Sequence, residues 1–256
     1  MKLPIGIQDF ESLRIDDYLY IDKTEQIYNL ATKGRYFFLS RPRRFGKSLL
    51  ITTLKALFLG KRNLFKGLAI DKKNDWDWTP HPVLHLDLNT EKYDSKERLD
   101  NLLNDFLVKE EMKYGSMPSE TSLGLRFQGI IQRACELTGQ RVVILVDEYD
   151  KPMLQAIGNP ELQEAYRGTL KGFYGALKSM DGCIQFAMLT GVTKFGKVCV
   201  FSDLNNLRDI SMLPKYHDIC GITEKEMVTV FDDTINDLAE NNGLTREECI
   251  AKLRRM

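Results

Sequence analysis

Short apolar runs alternate with longer amphipathic stretches through the central part of the chain. The apolar runs predict buried strands near residues 36–40, 83–88, 142–147 and 183–190. The stretches between them repeat apolar residues every three to four positions and predict helices near 47–59, 95–113, 120–138 and 160–180. Strands that alternate with helices in this way predict an α/β fold whose mainly parallel sheet is covered on both faces.

The two ends of the chain carry different patterns. Residues 1–34 mix turn and short helical signals, and we expect an N-terminal adapter segment there, followed by a core over residues 35–214. Residues 215–256 are helical in pattern, with the S/T-x-x-E capping box at Thr223–Glu226 and again at Thr245–Glu248. We expect a helical lid or linker there, and its uncapped last helix favours a truncated chain.

Composition narrows the class of protein. Lys plus Arg and Asp plus Glu both number 36 in 256 residues, so the net charge is zero and any basic surface for nucleic acid must be local. The five cysteines form no C-x-x-C pair, which argues against a disulfide framework or a zinc site and favours a reducing cytoplasm. No stretch approaches the roughly 18 apolar residues of a spanning helix, so we expect no membrane partner.

Residues Ser40–Ser48 lie between the first predicted strand and the helix near 47–59, where a phosphate-binding loop (Walker A) would stand. That loop normally reads G-x-x-x-x-G-K-[ST], and Arg41 occupies the position of the first glycine. Gly46 still lets backbone N–H groups close around phosphate, and Lys47 can reach the β- and γ-phosphates. Ser48 offers a hydroxyl to Mg²⁺ at a helix N-terminus. The pattern therefore predicts a nucleotide site.

The remainder of this loop is expected to supply stiffness and charge. Pro42 fixes φ and biases Arg41 towards an extended conformation, so the loop begins with a stiff turn. Arg41 to Arg44 bring positive charge to the place where phosphates would lie. The predicted nucleotide-binding residues are Arg43, Arg44, Phe45, Gly46, Lys47, Ser48 and Leu49.

A pair of carboxylates, Asp147 and Glu148, follows the predicted strand near 142–147. In an open α/β sheet the ligand binds outside the carboxyl ends of the strands. We predict that Asp147 holds Mg²⁺ together with Ser48, as in a Walker B motif. We also predict that Glu148 polarises the attacking water as general base in ATP hydrolysis. Lys47 is predicted as a second catalytic residue through its contact with the β- and γ-phosphates.

The strand near 83–88 lies between these two segments in the chain. We therefore expect an extra strand between the Walker A and Walker B strands of a three-layer P-loop NTPase sandwich. By similarity to the P-loop superfamily, such a strand together with Glu148 marks the ATP-hydrolysing division rather than the small-molecule kinases.

Polar residues after the fourth predicted strand are candidates for contact with the γ-phosphate or the lytic water. Thr190 and Thr193 both lie there, and Thr190 is favoured as a catalytic residue because it is nearer the strand end. The alternative is a threonine that only caps a turn. Asn205 and Asn206 add a polar segment on the same side. An arginine finger stays open among Arg126, Arg133, Arg167 and Arg208.

Five segments together resemble the bacterial AAA-ATPase-like family. They are Pro4–Phe10, Tyr20–Thr24, Ser40–Ser48, Val146–Pro152 and Phe201–Leu207. The resemblance implies that Arg41 is a family character, that the Walker A residues bind phosphates and Mg²⁺, and that the two carboxylates serve metal and catalysis. Longer members often carry a PD-(D/E)XK nuclease-like domain after the ATPase, which would begin beyond residue 256.

Three functions are therefore considered. The leading one is a Mg²⁺-dependent ATPase module that couples nucleotide state to an appended or partner effector domain. The missing first glycine and the undefined arginine finger favour a nucleotide-gated interaction module with little turnover. The nuclease-like partners of the family and the local Arg and Lys clusters favour a DNA-binding accessory of a mobile-element or defence nuclease system. The choice of ATP or GTP and the formation of a homo-oligomer stay open at this stage.

Overall fold

The computed structural model describes residues 2–193 and 207–255, which form ten α-helices and one parallel sheet of five strands. The strands are β1 (Tyr36–Ser40), β2 (Val83–Asp87), β3 (Val142–Asp147), β4 (Ile184–Gly191) and β5 (Arg208–Asp209). The helices are α1 (Phe10–Ile15), α2 (Thr24–Thr32), α3 (Lys47–Phe58), α4 (Lys96–Tyr114), α5 (Leu123–Thr138), α6 (Lys151–Gln155), α7 (Pro160–Ser179), α8 (Glu224–Val230), α9 (Asp232–Asn241) and α10 (Arg246–Leu253). The predicted core strands and helices are confirmed, with ends that differ by three residues at most.

The order of the strands across the sheet is β2-β3-β4-β1-β5, and every pair is parallel. The strand that lies between β1 and β3 is therefore β4. The strand near 83–88, whose place in the chain suggested the inserted strand, is β2 and lies at the edge of the sheet beside β3. Order along the chain misleads here because each parallel pairing needs a crossover, which can reach over a neighbouring strand.

Helices cover both faces of this sheet, as a parallel sheet requires. On one face, α1, α2 and α3 pack against Phe37 and Leu39 of β1. On the other face, α4, α5, α6 and α7 pack over the sheet, where β1 contributes Tyr36 and Phe38. Because β1, β4 and β3 are adjacent and parallel, their carboxyl ends lie together at one edge of the sheet, between these two cores.

The N-terminal segment belongs to the first of these cores. Phe10 of α1 is fully buried, and its backbone N–H donates to the Thr52 hydroxyl of α3 at 3.1 Å. Ile27 and Leu30 of α2 are buried in the same core. The residues predicted as an adapter therefore rest directly on α3, the helix that follows the loop after β1.

Helices α8, α9 and α10 form a small bundle with a core of its own, built from Ile235, Ala239, Cys249 and Ile250. Both predicted capping boxes are confirmed, at Thr223 with Glu226 and at Thr245 with Glu248. An ion pair between Lys23 and Glu226 at 2.5 Å joins this bundle to the N-terminal segment. No helix within the described ranges has the length and apolar character that a membrane crossing demands.

Candidate functional site

The loop between β1 and α3 contains two residues in the left-handed region. Arg44 has φ +66° and Gly46 has φ +80°, and Gly46 is the N-cap of α3. A φ of this sign is easy for glycine and uncommon for other residues, which explains the requirement for Gly46. The loop thus turns its backbone towards the N-terminus of a twelve-residue helix, where N–H groups and the helix dipole favour an anion.

Arg41, at the position of the first glycine of the usual motif, points away from this turn. Its guanidinium donates to the carbonyl oxygens of Ser211 at 2.7 Å and Tyr216 at 3.2 Å. The expectation that Arg41 brings charge to the phosphates is therefore wrong. The guanidinium instead binds backbone carbonyls, and these hydrogen bonds attach the start of the loop to the segment after β5.

The tip of the loop is open. Arg43, Arg44 and Phe45 are exposed, and neither arginine forms a hydrogen bond or ion pair with any described residue. Arg44, Phe45 and Leu49 line a cavity of about 380 Å³ beside the loop. These predicted nucleotide-binding residues are thus brought to one place.

Lys47 is buried, with 3% of its side chain exposed. Its ammonium lies 3.0 Å from the Glu148 carboxylate and donates to the carbonyls of Arg41 and Pro42 at 3.1 and 3.2 Å. The side chain therefore folds back across the loop and reaches the end of β3. Two predicted catalytic residues, 101 positions apart in the sequence, form one ion pair.

Ser48, Asp147 and Thr190 form a chain of side-chain hydrogen bonds across three elements. The Ser48 hydroxyl donates to Asp147 Oδ2 at 2.5 Å, and the Thr190 hydroxyl donates to Asp147 Oδ1 at 2.5 Å. Asp147 is 3% exposed and Thr190 is fully buried. Thr190 thus orients Asp147, and its predicted contact with the γ-phosphate or the lytic water stays a prediction.

We expect Thr190→Val to destabilise the fold by about 1–3 kcal/mol, because it leaves one oxygen of a buried carboxylate without its donor. Urea unfolding near neutral pH measures this change. The matched control is Thr169→Val, since the Thr169 hydroxyl donates to Asp100 at 3.1 Å in an exposed setting. That control should change stability by less than about 0.5 kcal/mol. Equal losses in the two variants would contradict the assigned importance of the Thr190–Asp147 bond.

Glu148 combines an unusual backbone with an unusual environment. Its φ of +55° is left-handed, and 14% of its side chain is exposed. Burial raises the pKa of the Glu148 carboxyl above its ordinary value, and the charges of Asp147 and Asp150 act in the same direction, whereas Lys47 opposes them. A carboxyl with a raised pKa at a strand end suits a group that accepts a proton.

Two features of the site were missed in the sequence. The first is the cavity wall formed by the N-terminal segment, where Leu3, Ile5 and Ile7 line the space beside the loop. The second is Asp150, which is 1% exposed and binds the residues after β4. The alternation of Leu3, Ile5 and Ile7 was a possible signal for the first, whereas a single aspartate after Glu148 carries no signal of its partners.

Among the candidate arginine fingers, three are engaged in ion pairs with described residues. Arg126 binds Glu111 with two hydrogen bonds, at 2.7 and 2.8 Å. Arg133 binds Glu120, and Arg167 binds Glu164. Arg208 is exposed on β5 and is paired in register with Phe37, three residues before the end of β1. Asn205 and Asn206, the other polar candidates, lie outside the described residues.

Comparison with known proteins gives matches at two levels. A family model described as AAA-ATPase-like, predicted AAA-ATPase, matches residues 4–201. A curated relative from Azotobacter chroococcum mcd 1, named "Uncharacterized protein in vnfD 5'region", is 42% identical over 249 residues. The match covers 96% of this chain and 47% of the relative, so the chain spans about half the length of that protein. No solved structure matches the chain.

Proposed function

Because this chain belongs to the AAA-ATPase-like family of predicted AAA-ATPases, we propose that it binds ATP with Mg²⁺ and hydrolyses it. One observation carries the proposal. Ser48 lies 2.5 Å from Asp147, and Lys47 lies 3.0 Å from Glu148, so the ends of the loop and of β3 form one site. Phosphate-binding, metal-binding and base groups are the parts that hydrolysis of a nucleoside triphosphate needs.

Each residue has a role that its environment supports. The backbone N–H groups at Gly46 and the start of α3 bind phosphate oxygens, and Lys47 exchanges its carbonyl and Glu148 partners for the β- and γ-phosphates. Glu148, released from Lys47, accepts a proton from the attacking water. Hydrolysis then ends with inorganic phosphate and a nucleoside diphosphate in the site.

The side chains also fit a magnesium ion. Ser48 and Asp147 offer adjacent hard oxygen atoms, and Mg²⁺ is usually held by one or two protein oxygens with waters and substrate phosphates. The bound ion would neutralise charge that develops on the phosphates. Thr190, by binding the second oxygen of Asp147, keeps the first one directed at Ser48.

The cavity of about 380 Å³ supports adenine as the base. Its lining is mainly apolar, and the charged groups among the described lining residues are two cations, Lys23 and Arg44. A guanine would bring the donors N1–H and N2–H₂ into a wall that contains no carboxylate to accept them. The side-chain acceptors among the described lining residues are the hydroxyls of Tyr20 and Thr53. Donors that lack an acceptor cost free energy when buried, so the smaller donor set of adenine is favoured.

Titration calorimetry with MgATP and MgGTP tests this proposal. We expect saturable binding of MgATP, and binding of MgGTP weaker by about tenfold, which corresponds to ~1.4 kcal/mol. Equal affinities would remove the assignment of the cavity to the base. Failure of both nucleotides to bind would remove the proposed function itself.

We further propose that the nucleotide controls the position of the helical bundle, and through it an effector. Lys23 lines the cavity and pairs with Glu226 at the start of α8. On the loop side, Gly221 lies so close to Phe45 that a Cβ there would sit 3.3 Å from the ring. A ligand in the cavity would therefore lie beside Lys23, which pairs with Glu226 of the bundle, and beside Phe45, which packs on Gly221 just before the bundle.

A second candidate function is a module that binds nucleotide and hydrolyses it slowly until a partner acts. The Lys47–Glu148 ion pair favours this alternative, because it holds the phosphate-binding ammonium and the base against each other. A turnover rate no faster than that of the uncatalysed reaction, together with tight binding of MgATP, would select this function over hydrolysis by the isolated chain.

A further inference from the structure

The chain leaves β3 and β4 side by side, and the two exits are joined by hydrogen bonds. The Tyr149 backbone N–H donates to the carbonyl of Thr190 at 2.9 Å. Further along, the Tyr149 hydroxyl donates to the carbonyl of Thr193 at 2.9 Å. Tyr149 is fully buried. The turn after β3 is therefore held at two points against the residues that follow β4.

Asp150 adds a buried carboxylate to this junction. It accepts from the backbone N–H of Val192 at 3.1 Å, from the backbone N–H of Thr193 at 2.7 Å and from the Thr193 hydroxyl at 2.8 Å. A buried carboxylate is stable in a fold when such donors satisfy it. Asp150 and Tyr149 together thus bind Thr193 at its N–H, its hydroxyl and its carbonyl.

Gly191 is required for this close approach. A Cβ at position 191 would lie 2.5 Å from Cε1 of Tyr149 and 2.6 Å from Oδ1 of Asp150. Both neighbours are buried and cannot move aside freely. We call Tyr149, Asp150, Gly191 and Thr193 the exit clamp.

Glu148 lies between residues that are fixed on both sides, and its own side chain forms no hydrogen bond with the clamp residues. Asp147 before it binds Thr190, and Tyr149 and Asp150 after it bind the residues beyond β4. With both neighbours fixed, Glu148 is held at φ +55°, and its carboxylate faces Lys47. A left-handed conformation of a residue with a side chain persists only where the surroundings impose it.

We propose that the exit clamp positions Glu148 for catalysis, with Asp150 and Gly191 as positioning residues. The proposal rests on the proposed hydrolysis of ATP. The clamp leaves the phosphate-binding groups of Gly46, Lys47 and Ser48 outside its hydrogen bonds. Its loss should therefore lower the rate of hydrolysis and change the affinity for nucleotide little.

The test compares Asp150→Asn and Gly191→Ala with the wild type. We expect kcat to fall at least about tenfold in both, and the Kd for MgATP from calorimetry to stay within about threefold. Matched controls are Asp105→Asn on the exposed side of α4 and Gly175→Ala on α7, where a Cβ meets open space. Both controls should keep the wild-type kcat.

A pair of conservative substitutions at Thr193 distinguishes a loss of positioning from a loss of the fold. Thr193→Val removes one hydroxyl from the clamp and should lower kcat, whereas Thr193→Ser keeps that hydroxyl and should restore it. Restoration by serine separates positioning from a general loss of packing, because serine is the smaller side chain.

A second readout does not depend on turnover. The three-bond coupling between the amide and α protons of Glu148 reports its φ in the wild type and in Gly191→Ala. We expect this coupling to change in the variant, because Glu148 leaves the left-handed conformation once its neighbours are no longer fixed.

The outcomes separate the two proposals. Wild-type turnover no greater than that of Glu148→Gln would end the proposed hydrolysis, and the coupling of Glu148 alone would then decide the clamp. An unchanged coupling in Gly191→Ala would overturn the clamp in that case. If the wild type hydrolyses ATP and the variants keep its kcat and its coupling, the clamp is wrong and the hydrolysis stands.

Discussion

Replacing Lys47 by alanine should weaken the binding of MgATP at least about 100-fold, or ~2.8 kcal/mol. The ammonium is buried at the mouth of the loop, where its bonds to phosphate would be strong because water is excluded. Titration calorimetry on the wild type and the variant measures the difference. Lys47→Met, which keeps most of the buried stem, should lose the same affinity if the charge is responsible.

The matched control is Lys55→Ala, which removes the same residue type from the same helix, two turns further on. It should bind MgATP as the wild type does. Thermal unfolding of all variants shows whether the fold is kept. Wild-type affinity in Lys47→Met, with an intact fold, would mean that the loop does not bind phosphate.

Replacing Glu148 by glutamine should lower kcat for ATP hydrolysis about 100-fold or more, because a general base contributes about that much. The affinity for MgATP should stay the same or rise a few-fold, since Lys47 loses the carboxylate that competes with the phosphates. Phosphate release and calorimetry measure the two effects. Glu164→Gln on α7, which alters an exposed ion pair with Arg167, is the matched control.

The pH dependence of the wild type sharpens this second prediction. The base must be ionised, so the rate falls as the pH drops through the pKa of Glu148. Burial raises that pKa, so the fall should begin at a higher pH than for an ordinary glutamate. The remaining rate of Glu148→Gln should lack this fall. Equal pH profiles in the two proteins, or a loss of affinity as large as the loss of kcat, would assign Glu148 a role in binding instead.

Local parts of this molecule could be predicted from the sequence because their signals are local. The apolar run at β1, the Gly46-Lys47-Ser48 turn and the run that ends at Asp147 each contain their own pattern. The capping boxes at Thr223 and Thr245 were found for the same reason, since both partners lie within four residues. The fold class follows from the alternation of such segments.

Pairings between distant segments could not be predicted in this way. β1 pairs with β4, about 150 positions later, and neither strand's sequence identifies its partner, because both consist mainly of apolar residues. The partners of Arg41 are backbone carbonyls at Ser211 and Tyr216, which every residue type provides. Asp150 likewise binds mainly backbone N–H groups beyond β4. Sequence patterns of single segments do not encode such partners.

The contacts of Arg41 help to set the register of β1 against its neighbouring strands. Both sides of β1 are apolar, so sliding it by one residue would exchange one buried aromatic for another, and side-chain alternation alone sets its position weakly. The Arg41 N–H donates to the Gly191 carbonyl at 3.1 Å, and its side chain donates to Ser211 at 2.7 Å. These two bonds fix the position of the last residues of β1 and so prevent the strand from shifting in register. A glycine there would keep the backbone bond and lose the side-chain bond. The arginine side chain therefore anchors the residue whose carbonyl accepts a hydrogen bond from Lys47.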